Sequence, residues 1–300
     1  MKKILIILLI LLTGCSQNID SDYKDKLDSI DIPREIIEFL EENNQKLSQS
    51  DFDNAVDKLL KSQHNYISEY ENLLNEERTY EYLQKYSLDD LNTLTNIKEK
   101  DIENILSEIL DGGYIILLIE EGHEHSDTCE EHDNNEYYEE EYGLAYVIST
   151  NYPLIYEKFH SNVSQKLRDY LSIMKEEVNM PYAQEGEILI DLDDLVKRII
   201  NTEKYIKEHE DSDKNRIVMH LNNLYLRAYI GGLDKNPVYD YSNLKYKEEI
   251  IKHYRDVIDK HKGSKFSNLI EEYLYILEKN RFIRTIEVEN FIVNVTDLVW

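Results

Sequence analysis

The stretch Ile199–Leu224, IINTEKYIKEHEDSDKNRIVMHLNNL, and the stretch Ile251–Ile276, IKHYRDVIDKHKGSKFSNLIEEYLYI, decide the fold. Set 52 residues apart, they place Ile199, Ile206, His209, Ser212, Ile217 and Leu224 opposite Ile251, Ile258, His261, Ser264, Leu269 and Ile276. Each copy reads as a helix, a short polar turn ending in serine, and a second helix. Apolar residues recur near helical spacing on both sides of the turn. A serine just before an apolar-periodic run is an N-cap signal, because its hydroxyl accepts an orphan backbone N–H of the first turn. One such helix pair cannot bury its apolar face alone, so the two pairs are expected to stack.

Helical patterns extend outward from this repeat. Pro33 sits where a helix can begin, since its missing N–H costs nothing in a first turn. Ile36, Ile37, Leu40 and Leu47 follow, and Asp51 is the expected cap of a longer helix with Phe52, Val56, Leu59, Leu60, Ile67, Tyr70 and Leu74 on one face. Shorter patterns run through Tyr80–Tyr86, Ile97–Leu110 and Val163–Val178. The helical reading breaks at Asp111-Gly112-Gly113. Tyr114–Ile119 and Tyr142–Ile148 are short apolar runs, read as two strands of a hairpin around an acidic loop of about 20 residues. Glu187–Ile190 is a short extended piece, followed by a helix that Asp191 or Asp193 can cap. Gly231-Gly232 is a helix stop. The expected fold is mainly α: a helical bundle over residues 32–110, a small β-hairpin with its acidic loop over 111–150, and a helical-hairpin domain over 151–300. With 9 Gly and 4 Pro in 300 residues, a many-stranded β fold is not expected.

The N-terminus carries a different message. Lys2 and Lys3 precede nine apolar residues, Ile4–Leu12. That length suits a secretory signal and falls well short of the roughly 20 residues a spanning helix needs. The run ends in Leu12-Thr13-Gly14-Cys15, which resembles the lipobox of bacterial lipoproteins. The resemblance implies cleavage after Gly14, leaving residues 1–14 as the signal peptide. Cys15 would become the new N-terminus and carry diacylglycerol and palmitate-type chains. Each buried CH₂ contributes roughly 0.8 kcal/mol, so two or more chains hold a protein stably at a membrane. Residues 15–31, poor in large apolar side chains, read as a lipidated cysteine and a flexible tether. The expected location is the extracytoplasmic face of the cell membrane.

The formal net charge is −27, and loss of Lys2 and Lys3 with the signal deepens it by two. Phosphate backbones are repelled by such a surface, so nucleic acid is not an expected partner. Cationic partners and divalent ions fit better.

The acidic loop places His123, His125, Cys129 and His132 within ten positions, among carboxylates. In an extended segment His123 and His125 point to one side, and Cys129 and His132 can meet across one turn. Imidazole, thiolate and carboxylate are all ligands for Zn²⁺ or a similar ion. The spacing matches no established zinc motif, and a solvated acidic loop with incidental histidines is the competing reading. If Cys15 carries lipid, Cys129 has no partner in the chain, which excludes a disulfide framework. Asp191, Asp193 and Asp194 read as helix-start acids, favoured by the helix dipole, rather than as catalytic groups. The chain holds no glycine-rich phosphate loop, no Gly-x-Ser-x-Gly elbow and no His-Glu-x-x-His. No catalytic residue is assigned, and an enzyme is not expected.

Tyrosine occurs 24 times. On helix faces such rings form core with a polar tip; on a surface they can line a groove for peptides or glycans. Tyr225, Tyr229, Tyr239, Tyr241 and Tyr246 form the cluster where a groove is first sought.

The repeat, with its turn histidines and serines, looks like a degenerate helical hairpin of the tetratricopeptide kind. From Tyr142 to Phe291 the chain resembles a group of uncharacterised bacterial surface lipoproteins. The likeness rests on Tyr152-Pro153, DYLSIM at 169–174, EILIDLDDLVKR at 187–198, YIGGLDKNPVYDY at 229–241 and LEKN at 277–280. It implies location and architecture, with no activity. Together these readings give a membrane-anchored, non-enzymatic binding or scaffold protein with an envelope protein or peptide as partner. The alternative is a divalent-metal-binding lipoprotein using the His-rich loop.

Overall fold

The computed structural model describes residues 19–121 and 143–298, and the fold is mainly α with small antiparallel two-stranded sheets. The described residues divide into two compact units, one up to residue 164 and one from residue 165 onward. The sequence reading began the second lobe at residue 151, whereas residues 151–164 pack in the first unit.

The first unit begins with a helix where the tether was expected. α1 (Ile19–Ser29) is followed by α2 (Pro33–Asn43) and α3 (Gln49–Asn75). Tyr23 and Leu27, four residues apart, share one face of α1, and Leu27 is buried. The Lys58 ammonium donates to the Leu27 carbonyl at 2.7 Å and the Asp28 carbonyl at 3.2 Å. A cation from another helix therefore satisfies the C-terminal carbonyls that water would otherwise solvate. A sparse apolar stripe with a tertiary cap is enough to order a segment whose composition reads as linker.

Pro33 opens α2 as expected. The N-cap of α3 is Ser48 rather than Asp51: the Ser48 hydroxyl accepts the Asp51 N–H, and Asp51 occupies the third helical position, where its carboxylate receives the Ser48 hydroxyl at 2.5 Å. Phe52, Val56, Leu59, Tyr70 and Leu74 on α3 are buried, while Leu60 and Ile67 sit at the margin. α4 (Glu77–Leu83), α5 (Leu88–Thr93) and α6 (Lys100–Asp111) complete this bundle. Ser87 and Asp90 form a capping box on α5.

The hairpin forms where it was expected. β1 (Tyr114–Glu121) pairs antiparallel with β2 (Gly143–Thr150), with Ile116 opposite Ile148 and Leu118 opposite Tyr146. Tyr114, Ile116, Tyr146 and Ile148 are buried on one face; Leu117 and Ile119 on the other face are exposed, as is Leu144 toward the end of the hairpin. Gly113 has φ +78°, and a Cβ there would come within 2.9 Å of Gln63 Nε2. Gln63 is itself buried and donates to the Gly112 and Gly113 carbonyls at 2.8 and 3.0 Å, anchoring the entry to β1.

A two-stranded sheet has two open edges, and asparagines close both. Asn75 donates to the Tyr146 carbonyl at 2.6 Å and accepts the Tyr146 N–H at 2.9 Å. Asn92 does the same for Ile116, at 2.9 and 2.8 Å. Each side-chain amide stands in for one residue of a missing strand. Asn75→Ala and Asn92→Ala are each expected to cost about 0.5–1.5 kcal/mol, since water can partly replace the lost partner at these part-buried edges. Amide exchange at Tyr146 and Ile116 should accelerate correspondingly; unchanged protection would show the asparagines to be incidental. The first unit closes with α7 (Tyr152–Phe159), which the sequence reading did not assign, capped by Asn151, with Phe159 packed edge-on against Phe52 at 5.7 Å.

The second unit holds α8 (Gln165–Asn179), two tiny hairpins and five further helices. β3 (Ala183–Gln184) turns at Glu185-Gly186 into β4 (Glu187–Ile188), and Asp191 caps α9 (Leu192–Glu208) by accepting the Asp194 N–H at 2.7 Å. α10 (Asn215–Gly231) ends at Gly232, and β5 (Gly232–Leu233) pairs with β6 (Asn236–Pro237). α11 (Glu248–Lys260), α12 (Lys265–Lys279) and α13 (Ile286–Leu298) follow. The two helix pairs of the repeat are therefore α9–α10 and α11–α12. His209 and His261 take equivalent C-cap positions, donating their N–H to Tyr205 and Val257 carbonyls at 2.9 Å each.

The serines differ. Ser264 caps α12 as expected, accepting the Ser267 N–H at 2.9 Å. Ser212 does not cap α10, whose N-cap is Lys214. It is buried and shares a 2.7 Å hydrogen bond with the Tyr205 hydroxyl. The first copy lacks Gly263, whose φ of +90° lets the second copy turn sharply into its cap.

One core spans both pairs, from Leu195, Val196 and Ile199 through Tyr225 and Tyr229 to Ile251, Tyr254, Ile270, Tyr273 and Leu277. Its polar tips cross between helices. Tyr254 and Tyr273 both donate to backbone carbonyls at the end of α10, of Tyr229 and Ile230 respectively, each at 3.1 Å. Tyr246 and Tyr273 hydroxyls meet at 2.6 Å.

Candidate functional site

The C-terminal turn of α10 leads through Gly231 into the β5–β6 hairpin. Gly232 has φ +71°, and a Cβ would lie 2.7 Å from the Asn236 carbonyl, so only glycine permits this close return. The β3–β4 turn docks on the same hairpin: Lys235 donates its N–H to the Gly186 carbonyl at 2.9 Å, and Asn236 accepts the Ile188 N–H at 2.7 Å. The loop from Tyr239 to Tyr246 follows, closed by the Asp240 carboxylate, which accepts the Ser242 N–H and hydroxyl, each at 2.7 Å. These two hydrogen bonds hold the Asp240 carboxyl below its ordinary value.

These segments and α13 enclose a cavity of about 500 Å³. That lies within the range of small-molecule sites. Ile292 lines its buried side, with Leu233, Pro237 and Val293 as further apolar wall. The Arg284 guanidinium lies over the Tyr239 ring at 4.4 Å, and its Nε donates to Glu289 at 3.0 Å. Stacking and ion pairing fix this arginine from two directions. Tyr241 stands on the rim, 60% exposed, edge-on to Tyr239 at 5.2 Å, its hydroxyl donating to the Asp234 carbonyl at 3.3 Å. Local desolvation, then Tyr239 and the Asp234 carboxylate, raise the Tyr241 hydroxyl above its ordinary value. Arg227 also lines the cavity and has no ion pair among the described residues.

The tyrosine cluster singled out by sequence thus separates. Tyr225, Tyr229 and Tyr246 are core; Tyr239 and Tyr241 line the cavity. Arg227, Asp234, Arg284 and Glu289 were not read from sequence. Arg227 did leave a signal: in a chain with 61 acidic residues, its helical neighbours Asn223, Leu224, Ile230 and Gly231 are all uncharged. Arg284 and Glu289 left none, because the fold brings them to Tyr239 across more than forty residues.

Cys15, His123, His125, Cys129 and His132 lie outside the described residues. Among the described residues, Asp169, Glu208 and His209 bring one ligand atom each within 4.8 Å of one another. His209 Nε2 is 3.0 Å from Asp169, and Gln165 donates to the other Asp169 oxygen at 2.6 Å. Hydrogen bonding accounts for the approach of Asp169 and His209, and Glu208 is ion-paired with Lys204 at 3.9 Å. No described helix is long and apolar enough to cross a membrane. Neither a known protein family, nor a curated protein, nor a solved structure matches the chain.

Proposed function

We propose that this chain is a lipid-anchored binding protein of the extracytoplasmic face, with the cavity of the second unit as its ligand site. Anchoring rests on Leu12-Thr13-Gly14-Cys15 and the apolar run before it. Binding rests on one observation above all: a cavity of ligand size in which an ion-paired, ring-stacked arginine and an exposed tyrosine converge with an arginine that has no ion pair among the described residues. Arg227, Asp234, Tyr241 and Glu289 are exposed around a partly apolar concave wall, so their polar groups stand ready for a ligand that fills it.

The test is a ligand-observed NMR fragment screen on the full chain in detergent, repeated on Val293→Trp. Val293 is 54% exposed on the cavity wall, so a tryptophan there fills space without disturbing the core. Hits should appear with the parent protein and vanish with Val293→Trp. A parent protein without hits, or hits that survive the substitution, would contradict the reading.

A further inference from the structure

We propose that the cavity takes a neutral saccharide, with one pyranose ring stacked on Tyr241; the proposal rests on the binding reading above and adds the class of ligand. Tyr241 supplies the platform. The residue is 60% exposed, yet its ring is held by Tyr239 in edge-on contact and by the hydroxyl bond to the Asp234 carbonyl. A pyranose has polar edges and C–H faces, and such a face packs on a preset aromatic ring with little ordering cost.

The polar groups match the rest of a sugar. Arg227 and Arg284 offer forked N–H donors, and Asp234 and Glu289 offer paired acceptor oxygens. Each sugar hydroxyl both donates and accepts, so a rim of planar groups with both capacities can satisfy neighbouring hydroxyls together. The signs also cancel, two guanidinium groups against two carboxylates. An anion would meet Asp234 and Glu289, and a cation would meet Arg227 and Arg284. A neutral polyhydroxylated ligand meets no like charge and uses all four. Arg284 is already neutralised by Glu289 and stacked on Tyr239, which keeps that part of the rim rigid before anything binds.

The test is calorimetric titration of the full chain, in amine-oxide micelles free of sugar headgroups, with the neutral trimers maltotriose, cellotriose and N,N′,N″-triacetylchitotriose and the anionic trimer trigalacturonate. At least one neutral trimer should bind saturably, with less than a twofold change in affinity between 50 and 500 mM NaCl, since no ion pair is being screened. Tyr241→Ala should weaken it at least tenfold, and Tyr241→Trp should retain it. If Tyr241→Ala melts at a lower temperature than the parent, Arg227→Gln on the exposed face of α10 decides, with at least a fivefold loss expected. Overturning results are no saturable binding of any neutral trimer, a salt-sensitive preference for trigalacturonate, or unchanged affinity in the deciding variant. Fragment hits displaced by Val293→Trp without any saccharide binding would remove the sugar and leave the binding site; absence of both would remove both.

Discussion

As pH rises above 10 the second unit is expected to lose stability steeply, at a slope approaching roughly 3 kcal/mol per pH unit once unfolded Tyr254 and Tyr273 are fully ionised. Both hydroxyls are deeply buried, and burial first, then neighbouring tyrosines, pushes them well above their ordinary value. An unfolded tyrosine releases its proton near pH 10. The folded hydroxyl, raised above that, keeps its proton. Stability tied to these groups is therefore complete below pH 10 and falls as pH climbs from 10 toward the raised folded values. Tyr225 and Tyr229 shift the same way, again chiefly through burial, and steepen the fall. Tyrosinate absorbance followed together with far-ultraviolet circular dichroism checks this. Exposed rings should titrate with the helices intact, and the buried rings should then ionise in one step with loss of helix. Tyr254→Phe, compared with the parent across pH 9–12, should flatten the alkaline fall. Gradual ionisation of every tyrosine with full helicity retained would contradict the assignment of these rings to the core.

Arg198→Met is the second large effect, expected to cost about 3–5 kcal/mol. The Arg198 side chain is 3% exposed, is ion-paired to Glu177, and donates to the Met180 carbonyl where α8 ends. Glu177, itself mostly buried, also accepts the Tyr225 hydroxyl at 2.6 Å. Removing the guanidinium leaves a buried carboxylate without its counter-charge and a carbonyl without its donor. The pair joins α8 to α9 and α10, so the loss falls on the unit's helix packing as well as on one bond. Replacing both partners, Arg198→Met with Glu177→Leu, should recover most of the cost, because no orphaned charge then remains. Urea unfolding of parent, single and double variants measures this. A single variant within 1 kcal/mol of the parent would show the pair to be dispensable.

Much of this architecture was legible because helices announce themselves by local spacing. The 52-residue repeat, the Gly112-Gly113 entry to the hairpin and the Gly231-Gly232 stop each depend on residues a few positions apart. Arg198 shows where local reading ends. It follows Lys197 and sits in a charged helix, where an exposed position is the ordinary expectation, yet Glu177 and Tyr225 on two other helices bury it. Segment 19–29 shows the same limit from the other side: Lys58, some thirty residues away, supplies the cap that makes it a helix. Ser48 displaced Asp51 as a cap because both residues suit the role and only backbone geometry chooses between them. At the cavity, tyrosine enrichment led to Tyr239 and Tyr241. The charged rim stayed hidden because α10, the β5–β6 turn, the segment just before α13 and α13 itself contribute it from separate parts of the chain.

The proposed location hangs on the Cys15 thiol, and metabolic labelling tests it directly. A bacterial host expressing the full chain is fed tritiated palmitate, and the protein is immunoprecipitated and counted. The account predicts label on the parent chain and none on Cys15→Ser. An unlabelled parent, or label that persists without Cys15, would contradict it.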